Sequence, residues 1–522
     1  MKSLVFFYLT ICYYGSTQIT FQKSFGGLDF DASYCVQQTS DDGYVLLGKT
    51  KSFGTGSDDD IYLIRTNVYG DTVWTKTFGG TGYETGRSIQ ETVDGGYIVC
   101  ADNSNSLTGA RLLKINSIGD TTWTRTYMGW GYSVQHTSDG GYMMAGSAYF
   151  GAGGWNLNLI KTSTTGDALW SKSYGGWTHD YGYSGLQTND GGFIVVGSTE
   201  SFGSGGKDVY VIKTDSDGNL LWSKTYGETA QDVGESIIQT SEGGYIIVGT
   251  SYSHSWDQLS PDMNVIKIDS LGNVEWSKRY GGFICYTLGK DILETPDGDF
   301  AVIGYTGCDG NQGEMEQGLV VKINSAGEMI WAKGYGEYAT DGFYSIDATS
   351  DNGFIMSGLT SSFGSGGADV YLLKTDSSFN SLCFESVPYI SDSLVTMNST
   401  VPTTVVDSAI WYANYPTITI SSGGITDTMC FTLGVEEFLD SDSKCTIYPN
   451  PFSINTTLIT STDLQNATLL VYDVYGNEQK NVTNIYTSSI TLNRENLQNG
   501  VYFLILIQNG EIISKNKLII TN

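Results

Sequence analysis

Residues 207–249, KDVYVIKTDSDGNLLWSKTYGETAQDVGESIIQTSEGGYIIVG, decide the fold of this chain. Alternating β-branched and aromatic residues in 208–213 predict a strand, and a polar turn leads into a second strand at 220–226. Residues 235–240 predict a third strand, and a glycine turn at 242–244 returns the chain into a fourth. No helical period interrupts them. This stretch therefore predicts four antiparallel strands in about fifty residues, which is the content of one β-propeller blade.

The same unit recurs seven times between residues 19 and 384. Its landmark is a turn with an acidic residue, a glycine and then an aromatic residue, and successive aromatics are 45 to 55 residues apart. A period of this length indicates a repeat architecture, and the strand content excludes ankyrin, TPR and HEAT repeats. We therefore predict an all-β protein with a seven-bladed β-propeller of four-stranded blades. The seven aromatic positions are Tyr44, Tyr97, Tyr142, Phe193, Tyr245, Phe300 and Phe354.

The tryptophan-containing strand of the unit, exemplified by Trp222, occurs only six times within the repeats. Its seventh equivalent stands at the other end of the chain, in residues 19–27, where Phe21 takes the place of tryptophan. We expect this N-terminal strand to close the last blade, which contains Phe354. Such a closure would remove exposed sheet edges and join the two ends of the ring.

The first residues have the features of a secretory signal, with Lys2, an apolar run over 4–14 and small residues at 15–17. We expect residues 1–18 to be a signal peptide that is removed. The apolar run is too short to span a bilayer, and no later stretch approaches the ~20 apolar residues of a membrane-spanning helix. No transmembrane segment is therefore predicted.

Past Cys383 the repeat stops, which sets the predicted propeller at residues 19–384. Residues 385–434 are rich in Ser, Thr and Val, and they predict either a linker or an irregular β segment. Residues 435–522 contain several short strand patterns and predict a small C-terminal β-sandwich. Those patterns lie at 457–461, 467–473, 489–492, 500–508 and 511–520.

This last region resembles the type A C-terminal sorting domain of the type IX secretion system of Bacteroidetes. The resemblance rests on the opening Tyr448-Pro449-Asn450-Pro451, on LVYDVYG at 470–476, on GVYFL at 500–504 and on KLII at 517–520. It implies export through the outer membrane by the type IX machinery as a partner, and a secreted or outer-membrane surface location. The residues it marks as the sorting signal are Tyr448, Pro449, Asn450, Pro451, Gly500 and Tyr502.

Residues 210–222 are also similar to the repeat of pyrroloquinoline-quinone dehydrogenases, and the repeat region as a whole is similar to PQQ-like and WD40-like propellers. This similarity implies the fold alone. No adjacent cysteine pair or other cofactor-binding constellation accompanies it, so no cofactor and no dehydrogenase activity are expected.

The strong acidity of the chain limits its partners. A formal charge of -29 argues against a nucleic-acid partner, because binding phosphates requires a basic stripe. The acidity fits a soluble extracellular protein and could attract calcium. Residues 215–219 look like the start of a calcium loop, but other repeats lose the second acid and keep the glycine, so a hairpin turn is favoured. We predict no metal site.

Seven cysteines remain after the predicted signal, and an odd number cannot all pair. None has the C-x-x-C spacing of a zinc or redox site. If disulfides form, the pairs closest in sequence are Cys285 with Cys308 and Cys383 with Cys430. The cysteines interpreted as isolated buried thiols are Cys35 and Cys100.

No catalytic constellation stands out. Of the three histidines, His136 falls where most other repeats have glutamine, which indicates a structural position, and no G-x-S-x-G motif is present. Repeated acids such as Asp208 are expected to fix loops, and the repeated tryptophans to pack between sheets. Unrepeated aromatics in segments between predicted strands are better ligand candidates. They are Trp130, Trp155, Trp177 and Trp256.

These patterns predict a noncatalytic binding or adhesion protein whose propeller loops contact a polysaccharide or a protein. The reason is the near-equivalence of the repeats, since an active site normally breaks repeat symmetry with unmatched polar residues. The alternative is a secreted carbohydrate-active enzyme, a glycoside hydrolase or lyase. It would require two unmatched carboxylates about 5 to 10 Å apart in the central opening of the propeller.

Overall fold

The computed structural model describes most of the chain from residue 18 onward, so all but the last residue of the predicted signal peptide lies outside it. The described ranges are 18–54, 58–80, 82–103, 109–149, 154–253, 260–282, 285–308, 315–337, 339–381, 383–388, 390–394, 398–402, 405–408, 412–413, 419–421, 425–433, 445–450, 452–460, 464–473, 478–495, 497–508 and 511–520. Backbone contacts divide the chain into two compact units, Met1–Gly434 and Val435–Asn522. In the described residues, no helix is long and apolar enough to cross a membrane.

The repeats of the first unit form 28 of its described strands, named here β1 to β28. In chain order they are β1 Ile19–Gly26, β2 Asp31–Gln38, β3 Tyr44–Thr50, β4 Asp60–Thr66, β5 Thr72–Gly79, β6 Glu84–Glu91, β7 Tyr97–Asn103, β8 Ala110–Ile115, β9 Thr121–Tyr127, β10 Trp130–His136, β11 Tyr142–Tyr149, β12 Trp155–Thr162, β13 Ala168–Gly175, β14 Asp180–Gln187, β15 Phe193–Thr199, β16 Asp208–Thr214, β17 Leu220–Gly227, β18 Asp232–Gln239, β19 Tyr245–Ser251, β20 Asp262–Ile268, β21 Val274–Gly281, β22 Cys285–Glu294, β23 Phe300–Cys308, β24 Met315–Ile323, β25 Met329–Tyr335, β26 Asp341–Ala348, β27 Phe354–Thr360 and β28 Asp369–Thr375.

These strands form antiparallel sheets that follow one another around a closed ring. Six sheets take four consecutive strands each, from β2–β5 to β22–β25, and the seventh takes β26, β27 and β28 followed by β1. Phe21 of β1 lies opposite Lys374 of β28, which confirms that the N-terminal strand closes the last sheet. Strand β2 packs against β26 and β27, so the first and last sheets are neighbours. The predicted all-β propeller fold is confirmed.

Each of the seven sheets described in the first unit has a fifth strand that the repeat does not encode. All seven fifth strands come from residues 385–433, which we call the belt. The belt visits the sheets in the reverse of chain order, pairing successively with β25, β21, β17, β13, β9, β5 and β1. Its strands are β29 Glu385–Ser386, β30 Ser391–Leu394, β31 Asn398–Thr400, β32 Val405–Ser408, β33 Tyr412–Ala413, β34 Thr419–Ser421 and β35 Ile425–Leu433.

The belt is the segment for which the sequence predicted a linker or an irregular β segment. The predicted propeller range 19–384 therefore leaves out the outermost strand of every sheet. Most belt strands are two to four residues long, too short to show a two-residue alternation in the sequence. Short outer strands are a common way to protect a sheet edge from pairing with another chain.

Four cysteines of the first unit have a described state. Cys285 and Cys383 are disulfide-bonded, as the sequence allowed, and Cys308 lies directly opposite Cys285 in the register of β22 and β23. Cys35 and Cys100 are free thiols, as predicted. Burial raises the pKa of the Cys35 thiol to about 11, so this thiol is protonated and unreactive at neutral pH.

The acidic residue of the repeated turn neutralises a buried base in its own sheet. In the repeat that opens the sequence analysis, the Oδ2 atom of Asp190 lies 2.9 Å from the Nζ atom of Lys213 on the third strand. Asp190 also accepts a hydrogen bond from the Gly192 amide at 3.0 Å. Seven such pairs recur, one in each sheet. They are Arg65–Asp41, Lys114–Asp94, Lys161–Asp139, Lys213–Asp190, Lys267–Glu242, Lys322–Asp297 and Lys374–Asp351.

The repeated tryptophan packs against the neighbouring sheet, as predicted. A Cβ atom on Gly218 would lie 2.8 Å from the Trp170 ring of the preceding sheet, so this turn glycine leaves room for the indole. Phe21 occupies the same place, because a Cβ on Gly70 would lie 2.6 Å from its ring. The prediction that Phe21 substitutes for tryptophan is therefore confirmed.

The second unit contains a three-stranded and a four-stranded sheet, ordered β36-β37-β40 and β39-β38-β41-β42. Buried residues of both sheets, among them Leu458, Leu469 and Leu504, form one hydrophobic cluster. Strand β39 was not predicted, because it lies at a sheet edge and is mostly polar. The strands are β36 Cys445–Tyr448, β37 Asn455–Thr460, β38 Ala467–Asp473, β39 Glu478–Ile485, β40 Ser489–Asn493, β41 Gly500–Gln508 and β42 Glu511–Ile520.

Candidate functional site

The innermost strand of each propeller sheet carries a β-bulge that turns one side chain away from the regular ladder. In β14 the register shifts between Gly182 and Ser184, so Tyr183 has no partner residue on β15. The bulge brings the two backbones close together opposite Gly197, where a Cβ atom would lie 1.9 Å from the Tyr181 carbonyl oxygen. This contact explains the glycine at this position of the second strand in six of the seven described sheets, and Ala101 is the exception.

The seven bulged residues differ in chemical type although their surroundings repeat. The register shift falls at the same place in all seven described inner strands. We call these residues the bulge ring. They are Tyr34, Arg87, Tyr132, Tyr183, Glu235, Lys290 and Tyr344, and all are partly buried.

Members of the bulge ring contact one another across sheet boundaries. The guanidinium carbon of Arg87 lies 5.5 Å from the ring centre of Tyr34 and 5.4 Å from that of Tyr132. The ring centres of Tyr34 and Tyr344 are 5.3 Å apart, and those of Tyr132 and Tyr183 are also 5.3 Å apart. The bulge ring therefore narrows the central passage of the propeller.

Two ion pairs balance the charges of the bulge ring. Lys290 Nζ donates to Glu235 Oε1 at 2.7 Å, which links two neighbouring inner strands. Arg87 Nε donates to Asp102 Oδ2 at 3.0 Å, and Asp102 lies on β7 of the same sheet. Burial opposes the charge of Arg87, but Asp102 raises the pKa of the guanidinium above its ordinary value. Both bases are therefore charged at neutral pH, and each is paired with one carboxylate.

Two unmatched carboxylates lie on neighbouring inner strands just beyond the bulge ring. Asp291 directly follows Lys290 and accepts hydrogen bonds from the Ile346 amide at 3.1 Å and from Ser236 Oγ at 2.8 Å. Asp347 accepts one from the Gln38 amide at 2.9 Å. Burial raises the pKa of both carboxyls to about 6. Both carboxylates thus accept a hydrogen bond from a main-chain amide of the adjacent sheet. In other repeats, the side chain of a Ser or Gln accepts the corresponding hydrogen bond.

An aromatic series leads from one end of the propeller toward the bulge ring. The rings of Trp130 and Trp155 stack with their centres 3.9 Å apart and an interplanar angle of 18°. The Trp155 amide donates to Nδ1 of His179 at 3.3 Å, and the His179 ring stacks on Tyr181 at 6.2 Å. Tyr181 in turn stacks on Tyr183 of the bulge ring at 6.0 Å. The series therefore connects the loop end of the sheets with the central passage.

The structure brings two of the four predicted ligand-binding tryptophans together. Trp130 and Trp155 are the first residues of β10 and β12, so they begin strands, whereas the sequence placed them between strands. Trp177 lies in the loop between β13 and β14, two residues before His179, and its side chain is 83% exposed. Trp256 lies outside the described residues. The ligand-binding role of all four stays a prediction.

Sequence reasoning missed the bulge ring. The signal was present, because five of the seven residues follow a glycine and precede Ser or Asp, as in Gly234-Glu235-Ser236. Aligned on that glycine, the repeats show one position that varies among Arg, Tyr, Glu and Lys while its neighbours stay constant. The expectation that no cluster of unmatched polar residues exists was therefore wrong.

The remaining candidate residues have structural places. His136 lies opposite Tyr142, a position that Gln38, Glu91 and Gln187 fill in other sheets, so the sequence alignment with Gln90 was off by one residue. Asp215 Oδ1 accepts hydrogen bonds from the Asp217 and Asn219 amides and so closes a hairpin turn. Asp208 fixes a loop through the Ser204 amide, as predicted. Among the residues described, no group of three acid, cysteine or histidine side chains could hold a metal ion.

The predicted sorting signal holds the two ends of the second unit together. Asn450 Oδ1 accepts a hydrogen bond from the Ile519 amide at 2.8 Å, and the Thr456 hydroxyl donates to the Pro449 carbonyl at 2.5 Å. The Tyr502 hydroxyl donates to the Gln498 carbonyl at 3.0 Å. Tyr448 is exposed, Gly500 begins β41, and Pro451 lies outside the described residues.

Comparison with known protein families identifies this second unit. A family model described as "Secretion system C-terminal sorting domain" matches residues 446–521. The chain carries a type IX sorting domain. Such domains mark proteins that are secreted or attached to the cell surface, so the predicted localisation is confirmed, and the type IX machinery handles the chain. A search of curated proteins found no match.

Solved structures similar to the chain include propeller-like proteins. BamB from Moraxella catarrhalis is 10% identical with a TM-score of 0.35, over 68% of this chain and 99% of that one. A protein of unknown function from Dyadobacter fermentans is 10% identical with a TM-score of 0.34, over 70% and 98%. A GH43_12 protein from a capybara gut metagenome is 11% identical with a TM-score of 0.26, over 97% and 95%. TM-scores this low carry no argument about function.

Proposed function

We propose that the protein is a noncatalytic binding protein of the cell exterior that holds saccharides at the loop end of its propeller. The observations that carry the proposal are the aromatic series, which runs from the Trp130–Trp155 stack to Tyr181, and the exposed Trp177 at the same loop end. Exposed aromatic faces bury the apolar faces of sugar rings, and their polar edges accept hydroxyl contacts.

The geometry of the carboxylates supports a role without catalysis. A general acid or a nucleophile must present its oxygen atoms to the substrate. The carboxylate oxygens of Asp291 and Asp347 instead accept hydrogen bonds from main-chain amides of neighbouring strands and of the next residue in their own strands. Glu235 is paired with Lys290 at 2.7 Å. These contacts give all three acids a structural role.

The test is a glycan-array screen of the full chain, followed by calorimetric titration with each saccharide that binds. Trp177→Ala and the double variant Trp130→Ala/Trp155→Ala should each weaken binding by about tenfold or more. The control is Leu271→Ala, because Leu271 is also well exposed, at 65% against 83% for Trp177, and lies in a hairpin turn at the opposite end of the sheets. If all of these variants bind as the unaltered protein does, the aromatic series is not the site.

A second candidate is a carbohydrate-active enzyme with its site in the central passage. It is favoured by the pKa of about 6 at both Asp291 and Asp347, since a raised carboxyl pKa suits a general acid. Release of reducing ends or unsaturated products from any array saccharide would support it. Such turnover must disappear in Asp291→Asn or Asp347→Asn, and its presence would overturn the noncatalytic proposal.

A further inference from the structure

Several polar groups of the bulge ring have no hydrogen-bond partner among the described residues. Within the described part of the chain, the hydroxyls of Tyr34, Tyr132 and Tyr344 make no hydrogen bond. Their rings are partly buried and packed against one another or against Arg87. Tyrosine hydroxyls in such positions normally find a partner, because leaving them unsatisfied costs free energy. These three hydroxyls are therefore available to a ligand.

Arg87 presents a second unused group to the same space. Both of its contacts with Asp102, from Nε and from Nη2, reach the single atom Oδ2 at 3.0 Å. No described residue accepts a hydrogen bond from Nη1. The two tyrosine rings beside the guanidinium hold its plane in place, and its side chain is still 32% exposed. A guanidinium oriented in this way recognises a planar anion such as a carboxylate by paired hydrogen bonds.

The other base of the bulge ring does not offer the same opportunity. The ammonium of Lys290 is buried and already donates a hydrogen bond to Glu235 at 2.7 Å. A ligand anion would therefore meet its only open positive partner at Arg87. A chain carrying many negative charges would be repelled by the formal charge of -29. The site consequently suits a ligand with a carboxylate at one end.

We propose that the bulge ring binds the acidic end of a saccharide, with the sugar carboxylate on Arg87 and the phenol hydroxyls on the adjoining sugar hydroxyls. This inference rests on the proposed function, because the aromatic series positions the rest of the saccharide. It adds a direction to that function. With its carboxylate on Arg87, the rest of the saccharide extends along the aromatic series toward the loop end.

The experiment compares two ligands that differ in the carboxylate. Galacturonosyl-galactobiose, a trisaccharide with a single carboxylate at its nonreducing end, and its neutral counterpart galactotriose are titrated calorimetrically into the full-length protein at two salt concentrations. Galacturonosyl-galactobiose should bind at least about tenfold more tightly, and added salt should reduce the difference because it screens the ion pair. Equal affinity for the two ligands would overturn the proposal.

The variant Arg87→Gln/Asp102→Asn removes the guanidinium without leaving Asp102 buried and unpaired. It should lose the preference for galacturonosyl-galactobiose and keep its affinity for galactotriose. Tyr132→Phe tests the same site without removing a ring, and it should weaken galacturonosyl-galactobiose binding by about threefold to tenfold. The matched control is Arg125→Gln, because Arg125 also stacks on an aromatic ring, 5.4 Å from Trp123, but on an outer strand.

The outcomes separate this inference from the proposed function. If Arg87→Gln/Asp102→Asn binds galacturonosyl-galactobiose as the unaltered protein does, the bulge ring is not the acid-binding group, whatever the tryptophan variants show. If the tryptophan variants abolish binding of galactotriose while the Arg87 variant changes nothing, the proposed function stands and this inference fails. If neither ligand binds the folded protein, both are overturned for this ligand class.

Discussion

The blades and the belt contribute strands to the same sheets, but different interactions stabilise the two kinds of strand. Blade strands join neighbours in the sequence through short turns, and several, such as β4 and β16, are buried along their whole length. Belt strands come from a distant part of the chain, and β30 is exposed at each of its residues. The blades are therefore stabilised by apolar burial, whereas the belt depends on main-chain hydrogen bonds to an existing sheet. The repeat encodes a blade, and the belt completes the edge that the repeat leaves open.

Removing the belt should produce the largest change. A chain ending at residue 434 keeps every fifth strand, and a chain ending at 384 exposes the outer edge of seven sheets. We expect the longer form to be monomeric with a single cooperative melting transition. The shorter form should self-associate and melt lower by roughly 10 °C or more, because open edges pair with other chains. Size-exclusion chromatography and thermal denaturation measure both effects. If the two forms behave alike, the belt is dispensable.

The disulfide of Cys383 should be the next largest contribution. Gln22 donates from Nε2 to the Cys383 carbonyl at 2.5 Å, and its backbone lies opposite Cys430 in β35. Non-reducing peptide mapping should therefore find Cys383 linked to Cys430, which closes the belt around the ring. Cys383→Ser/Cys430→Ser should lower the free energy of unfolding by about 4 kcal/mol, as expected for a loop of this length. The control is Cys35→Ser, a free thiol. A different partner for Cys383 would contradict this arrangement.

A single methyl group should test how tightly a blade is packed. Gly197→Ala places a Cβ 1.9 Å from the Tyr181 carbonyl oxygen, so the backbones of β14 and β15 must move apart there. We expect a loss of about 1–3 kcal/mol in the free energy of unfolding from this overpacking. Gly80→Ala is the control, because a Cβ there meets nothing within 4 Å. Chemical denaturation measures the free energy of unfolding of both variants. Equal values would show that the backbone of the inner strands moves to accept the methyl group at little cost.

The smallest expected effect is a pH dependence at the inner edge of the sheets. Burial raises the pKa of Asp291 to about 6, so the folded state holds this proton more tightly than the unfolded state does. The resulting stabilisation is present below the unfolded pKa of about 4 and is lost as pH rises through 6. Relative to that of Asp291→Asn, the free energy of unfolding of the unaltered protein should therefore fall by on the order of 1 kcal/mol between pH 4.5 and pH 7. A constant difference in melting behaviour across this range would contradict the shift.

Much of the blade architecture was predictable because its signals are local and repeated. The Asp190 turn, the Trp170 contact and the Phe21 substitution each occupy a constant position in a unit of known length. Their physical reasons, an ion pair and an aromatic ring over a glycine, act within one sheet or between adjacent sheets. The belt lacked such signals, since strands like Tyr412–Ala413 are too short for any pattern and are defined only by the strand they join.

The candidate site was predictable only in part. Trp130, Trp155 and Trp177 stood out because they interrupt the repeat, but their mutual contact depends on distant turns. The bulge ring was harder to predict. A residue such as Glu235 becomes part of a site only because seven inner strands converge on one axis. Convergence of this kind comes from ring closure, which no single repeat reveals.

The reversed course of the belt has a consequence for the order of assembly during synthesis. Strand β1 is made first, yet its second neighbour, β35, is made roughly four hundred residues later. Contacts this far apart in the sequence form late, so β1 waits longest for its outer neighbour. The sorting domain begins at residue 446, only a short distance after β35 ends at Leu433. A chain that carries its export address therefore also carries every strand needed to finish the ring.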